Sequence, residues 1–228
     1  MFNNQSEDHW IPLADLMTGL MLVFLLLAFS YMLIAQQKER KIREIAVSYQ
    51  QIKLNLYQDL IKEFSKDLPQ WHAHIYESDL SIHFYDPQTL FATGKTDITP
   101  RFTGILGDFF PRYIKILTQP KYSNYIDEVR VQGYSSSAWK QAKNPDEAFL
   151  NNMKLSENRS LSVLNYVYML PSLSASREFL KGHLTANGLS SSRPVVVNGN
   201  EDPQQSQRIE FKVLLNSDNQ IQRILTIK

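Results

Sequence analysis

The stretch from Trp10 to Ile34, WIPLADLMTGLMLVFLLLAFSYMLI, dictates what the rest of the chain can be. No charged residue lies between Leu16 and Gln37, and roughly 20 helical residues cross a hydrocarbon core of ~30 Å. The run predicts one membrane-spanning helix over residues 11–35. Its one acid, Asp15, sits about one turn inside the apolar boundary marked by Trp10, Ile11 and Pro12. An ionised carboxylate costs ~2.5–3.5 kcal/mol at mid-helix and less near an end, so it persists where a partner or water relieves it. Two readings follow. In one, Asp15 exchanges a cation along a protein-lined path; in the other it is a first-turn acid at headgroup level, favoured by the positive end of the helix dipole, with Pro12 suiting the opening turn.

At 228 residues the chain has room for that span and one globular domain. With no cysteine, disulfides, cysteine metal sites, a thiol nucleophile and an acylated lipoprotein cysteine are all excluded. Net charge is +1, and no basic stripe is interleaved with aromatics, which argues against nucleic acid as a direct partner. A secretory signal has a basic start and an apolar stretch of ~7–15 residues. Here the start carries Glu7 and Asp8 and the run is longer, so the segment is expected to stay as an anchor. Lys38, Arg40, Lys41 and Arg43 follow the span and no Lys or Arg precedes it, which by the positive-inside rule puts the C-terminal side in the cytoplasm.

Beyond Gln36 the chain runs without Gly or Pro to Pro69. Ile42, Ile45, Tyr49, Ile52 and Leu56 recur at alternating spacings of three and four. Residues 36–68 are therefore expected to form a neck helix with a short parallel dimer seam, the alternative being an amphipathic helix lying on its own domain. From Ser78 the period changes. Leu80, Ile82 and Phe84 alternate as a strand; Phe102 to Leu117 falls at helical spacing; Tyr125 to Gln132 is a second strand. Pro145 to Met169 reads as a helix, Arg177 to Asn187 as another closed by Gly188, and Ile209 to Leu215 as a last strand. This order predicts an α/β sandwich, a small mixed sheet with helices on one face, over residues 78–216. Residues 1–10 and 217–228 flank it as a cytoplasmic N-terminus and a C-terminal tail.

The octet Ala14-Asp15-Leu16-Met17-Thr18-Gly19-Leu20-Met21 resembles the ADFMT-x-LM signature of the MotB family of ion-driven stator subunits, and more closely the ZorB-type subunits of Zorya anti-phage defence systems. The later motifs resemble an OmpA-like peptidoglycan-binding domain. Leu90-Phe91 with Gly94 and Pro100 is similar to that family's opening passage, and Gly133-Tyr134-Ser135-Ser136 to its G-[HY]-[TS]-D turn. Asn152 to Ser160 matches N-x-x-L-S-x-x-R-[AS], and Gln207-Arg208-Ile209-Glu210-Phe211 resembles the closing R-R-V-E-F strand.

The resemblance implies a single-pass inner-membrane protein with a periplasmic C-terminal domain, opposite to the positive-inside count. It implies an ion-translocating pair, Asp15 and Thr18, carrying H⁺ or Na⁺. A MotA-like (ZorA-like) multi-span partner would surround a homodimer in a ratio of about 5:2. Peptidoglycan contact is expected from Asn151, Asn152, Leu155, Ser156 and Arg159, with Ser136 standing where the family carries Asp. A guanidinium suits a stem-peptide carboxylate because it donates two parallel hydrogen bonds. Asp146 or Glu147 would be the substitutes for the missing acid. No catalytic residue, metal site or cofactor is expected, since the serine runs lack a His and Asp arrangement and His72 with His74 alone do not make a zinc site. A flagellar stator subunit and a passive membrane-to-wall tether are the alternatives.

Overall fold

The computed structural model describes residues 10–216, so the expected cytoplasmic N-terminus apart from Trp10, and the C-terminal tail 217–228, lie outside the described residues. The described chain divides into a unit reaching Tyr49 and a larger one beginning at Gln50. Helix α1 (Trp10–Phe64) contains the whole apolar run and is long and apolar enough to cross a membrane. Among the described residues its apolar side chains are exposed: Leu16 is 71% and Phe24 61% exposed. Such a surface needs lipid or a partner.

The last turns of α1 behave differently. Leu56, Leu60 and Phe64, spaced four apart, are fully buried in the larger unit. Arg112 clamps them there: its Nε donates to Glu63 Oε1 at 2.8 Å, its Nη2 to Asp67 Oδ2 at 2.9 Å, and its guanidinium lies over the Phe64 ring at 4.9 Å. Leu56, expected in the seam, is buried in the core, and the larger unit begins at Gln50.

Short strand β1 (Ala73–Tyr76) precedes β2 (Ser81–Phe84). With four residues and only Ile75 buried, β1 is too short for its alternation to register in sequence. After one-turn α2 (Pro87–Leu90) comes α3 (Pro100–Leu117), opened by Thr99, whose hydroxyl accepts from the Phe102 N–H at 3.1 Å, with Pro100 in its first turn. Another single turn, α4 (Pro120–Ser123), leads to β3 (Ile126–Gly133). Helix α5 (Pro145–Met169) starts on Asn144, which accepts from the Glu147 N–H at 2.8 Å, while the Glu147 carboxylate accepts from the Lys143 N–H at 2.8 Å. A 3-10 stretch at Pro171–Ser176 and α6 (Arg177–His183) follow.

The predicted helix over Arg177 to Asn187 is corrected here. It stops at His183, and Leu184–Gly188 forms β4, parallel to β3 with Val129 opposite Leu184 and Gly133 opposite Gly188. A sheet edge supplied by a distant strand overrides the weak local preference of Leu-Thr-Ala-Asn. Asn198 and Gly199, at φ of 51° and 82°, turn a small hairpin of β5 (Val196–Val197) and β6 (Asn200–Glu201). One-turn α7 (Pro203–Ser206) then precedes β7 (Ile209–Leu215).

The main sheet has the order β1-β2-β7-β3-β4, antiparallel except for β3 with β4. Its register shows that helices cover one face. Phe211 pairs with Val131 and Ile209 with Gly133, so all four point the same way. Phe211 packs on Phe109 of α3 at 5.1 Å between ring centroids, and a Cβ added to Gly133 would strike α5. The expected α/β sandwich with a mixed sheet and helices on one face is therefore present. Phe109 is its hub, with ring contacts to Phe64, Trp71, Phe84, Phe110, Tyr113 and Phe211.

The opposite face is polar yet covered. His83 lies across from Glu210; its Nε2 is 2.7 Å from Ser81 Oγ and 3.3 Å from Glu210 Oε1. Glu210 accepts from Arg208 Nε at 2.7 Å. Burial, with the Arg208 charge beside it, pushes His83 down to about 3, and burial pushes Glu210 up despite Arg208.

Two outcomes are expected. F109A lowers the unfolding free energy by ~3–5 kcal/mol in urea titration, the cost of emptying a buried aromatic site. His83, neutral in the fold, gains a proton on unfolding below its ordinary 6.5, so stability is full above that value and falls as pH drops toward 3, by at most ~1.4 kcal/mol per pH unit. The raised Glu210 offsets part of the loss above its ordinary 4.5, making the curve steepest below that pH. H83Q flattens the curve, read as the urea midpoint against pH.

Candidate functional site

Two glycines let α5 lie directly on the strand ends. A Cβ on Gly133 would come 2.3 Å from Ser156 O, and one on Gly188 2.3 Å from Glu157 N. Gly188 is thus a contact point and not a helix stop. Where α5 touches the sheet, its buried face is polar: Asn152, Ser156, Arg159 and Ser160 are all buried, at spacings that share one helical stripe.

The stripe is sewn to the two serine-rich loops. The Ser190 N–H donates to Ser156 Oγ at 2.9 Å, and Ser190 Oγ donates to Phe149 O at 2.8 Å. The Ser135 N–H donates to Ser190 O at 2.9 Å, and Asn152 Nδ2 to Ala138 O at 3.4 Å. Ser156 and Asn152 therefore shape the turn after β3, with Ser136 buried inside it. Asn151 and Leu155 are half-buried, and Asn151 makes no side-chain hydrogen bond among the described residues.

Arg159 is 4% exposed. Its guanidinium lies over the Phe91 ring at 4.8 Å, and its Nε donates to Lys95 O at 3.0 Å. No acid pairs with it among the described residues, so the intradomain salt bridge that would explain it structurally is not made. Burial alone pulls it down to about 10. Arg208 shows the contrast. It is also buried, but it has Glu210, the Arg193 and Ser206 carbonyls and the face of Tyr134, as befits a scaffold residue. Arg159 is thus a desolvated cation with a single side-chain hydrogen bond among the described residues.

Neither expected substitute acid serves the turn. Glu147 is spent on the start of α5, and Asp146 is exposed in its first turn. The acid at the turn is Glu201: its carboxylate accepts from the Ser137 N–H at 2.9 Å and from the Ser137 hydroxyl. The signal that could have found it is Asn198-Gly199, the dipeptide favoured in two-residue hairpins, which delivers β6.

Asp15 lies on α1 beyond its first turn, which holds no acid. Thr18 donates to Ala14 O at 2.8 Å, so its hydroxyl is engaged by the helix backbone. No group of three His, Cys, Asp or Glu suited to a metal ion occurs among the described residues.

Comparison with known proteins gives a relative that spans nearly everything. The Zorya protein ZorB of Escherichia coli is 41% identical over 223 residues, covering 97% of this chain and 94% of its own length. The chain belongs to the ZorB family. No family model matches. Solved structures similar to this ZorB-family chain include the cell wall anchor of the T6SS from Pseudomonas aeruginosa, 19% identical over 69% of this chain and 97% of that one, with a TM-score of 0.47. The periplasmic domain of Helicobacter pylori MotB is 13% identical over 68% and 94%, with a TM-score of 0.46. The OmpA-like domain of FopA1 from Francisella tularensis is 21% identical over 64% and 82%, at 0.40.

The glycine contacts yield a paired test in this ZorB-family domain. G188A forces a Cβ into the backbone of α5 and is expected to destabilise the domain by ~2 kcal/mol or more. G104A, in α3 with nothing within 4 Å of the new Cβ, is expected to stabilise it by ~0.5–1 kcal/mol. Urea midpoints of the two variants check both.

Proposed function

We propose that this chain is the ion-carrying, wall-anchored subunit of a membrane motor in an anti-phage defence system. Its near full-length kinship with a Zorya protein ZorB supports the defence setting. The observation that carries the wall contact is Arg159, a buried guanidinium without an acidic partner among the described residues, lying on Phe91 beside a shaped turn. A peptidoglycan stem peptide offers the carboxylate such a cation lacks. Asn152 and Ser156 hold the turn, Ser136 lies inside it, and Asn151 and Leu155 stand beside them on α5.

In this reading α1 crosses the inner membrane once, with the N-terminus cytoplasmic and the domain periplasmic, because a wall binder faces the wall. Lys38, Arg40, Lys41 and Arg43 then lie on the outer side, against the positive-inside count. Two copies stand side by side within a MotA-like (ZorA-like) multi-span partner, in a ratio of about 5:2. Asp15 takes up H⁺ or Na⁺ from a path lined by that partner, with Thr18 one turn onward. Neutralised by its cation, Asp15 is tolerated in an apolar setting; once it is charged, a polar contact on the partner is favoured. Each elementary charge crossing 100 mV releases ~2.3 kcal/mol, several times thermal energy. Wall attachment holds the dimer still while the partner turns.

Two substitutions separate the parts. D15N is expected to abolish phage protection while the chain still reaches the membrane and still sediments with purified peptidoglycan. R159A is expected to lower sedimentation at least tenfold. Unchanged protection in D15N would make the chain a passive tether; loss of swimming on deletion, with phage sensitivity unaltered, would make it a flagellar stator.

A further inference from the structure

The passage between α2 and α3 serves two neighbours. Phe91 and Lys95 hold Arg159, and Thr93, between them in sequence, lines a cleft of about 620 Å³, a size within the ~300–1,000 Å³ common for small-molecule sites. His72, Tyr85 and Asp86, around the start of β1 and the end of β2, line it together with Gln204, Gln205 and Gln207 of the α7 region. Two of these residues hold left-handed backbone conformations, His72 at φ 50° and Asp86 at φ 66°; such positions persist where the surrounding structure holds them, and they gather at ligand sites. What the cleft offers is narrow. No Lys or Arg lines it among the described residues, so an anionic ligand finds no counter-charge. Tyr85 spends its hydroxyl on that of Tyr76 at 2.7 Å and on His83 Nδ1 at 3.1 Å, so its ring surface is what remains to a ligand. Asp86 Oδ2 accepts from the Thr89 hydroxyl at 2.5 Å and stands 3.2 Å from His72 Nδ1; a carboxylate has about four acceptor positions, and these contacts do not fill it. Gln88, which also lines the cleft, Gln204 and Thr93 make no side-chain hydrogen bond among the described residues.

We propose that this cleft is a second binding site, separate from Arg159, whose ligand is a neutral oligosaccharide of N-acetylated amino sugars. That the ligand is a neutral sugar rests on the cleft; that it is the glycan of the wall rests on the wall-binding reading. A sugar brings hydroxyls on its rim, an apolar C–H face and no charge. The Tyr85 ring meets the C–H face, and the Asp86 carboxylate accepts from a hydroxyl, a charge-assisted contact roughly twice as strong as a neutral one. Each glutamine amide carries a donor and an acceptor, and an acetamido group carries the complementary pair. Thr93 links the two sites in the chain, as a stem peptide is linked to the glycan that bears it. Two modest contacts on one polymer then reinforce each other through effective concentration.

The test uses the full chain in micelles of a zwitterionic detergent, because a sugar-headed one would compete, and isothermal titration with three probes. These are chitotetraose, its fully deacetylated counterpart, and a stem tripeptide ending in diaminopimelate. Q88A/Q204A removes two exposed amides that no side-chain hydrogen bond ties to the fold. Expected results are at least tenfold tighter binding of chitotetraose than of the deacetylated sugar by wild type, and at least tenfold weaker chitotetraose binding by Q88A/Q204A with the tripeptide unchanged. The proposal is overturned if wild type binds no chitotetraose at millimolar concentration, if Q88A/Q204A binds it as wild type does, or if the deacetylated sugar binds better, which marks a cation site around Asp86. R159A tells the two levels apart. Loss of the tripeptide with chitotetraose retained supports both sites. If R159A keeps the tripeptide while Q88A/Q204A loses chitotetraose, the wall contact at Arg159 fails and the cleft stands; if R159A loses chitotetraose as well, the cleft is no separate site and this proposal fails.

Discussion

Burying a guanidinium without an acid to balance it costs several kcal/mol, and everything around Arg159 is arranged so that this cost is borne. The face of Phe91 and the Lys95 carbonyl recover part of it. The remainder is offset by the aromatic core centred on Phe109, which fixes α3, and with it the sheet, beneath the site. The position of Arg159 in turn follows from how closely α5 approaches the strands. Gly133 and Gly188 lie opposite each other on β3 and β4, and both meet the backbone of α5. A side chain on either would lift the helix and with it the stripe of Asn152, Ser156 and Arg159.

Three buried charged residues of the domain are treated in two ways. Arg208 and Glu210 satisfy each other on the polar face of the sheet, tied to His83 and stacked on Tyr134. Arg159 has no acidic partner among the described residues, only the Lys95 carbonyl and the face of Phe91. The first arrangement is what a stable scaffold needs, since a buried pair is tolerated when its hydrogen bonds are complete. The second leaves the Arg159 charge without that balance among the described residues.

The apolar part of α1 is long and apolar enough to cross a membrane. Its described side chains are exposed, a surface that needs lipid or a partner. Asp15 is the exception in that surface. An acid there is tolerated where a partner or water relieves its charge.

Much of this was legible in the chain itself. The apolar run, the helix from Pro145 to Met169 and the strand from Ile209 to Leu215 follow from local composition and period, because a side chain's burial repeats every 3.6 or 2 residues regardless of what it packs against. The N-x-x-L-S-x-x-R stretch pointed to Arg159, and the Ser136 departure showed that an acid was missing. Only the folded chain decided the rest. Leu184–Gly188 became a strand because β3 offered an edge, Leu56, expected in the seam, came to be buried in the core, and Glu201 reached Ser137 across 64 positions of sequence. Those outcomes depend on which distant surfaces meet, and periodicity along the chain carries no information about that.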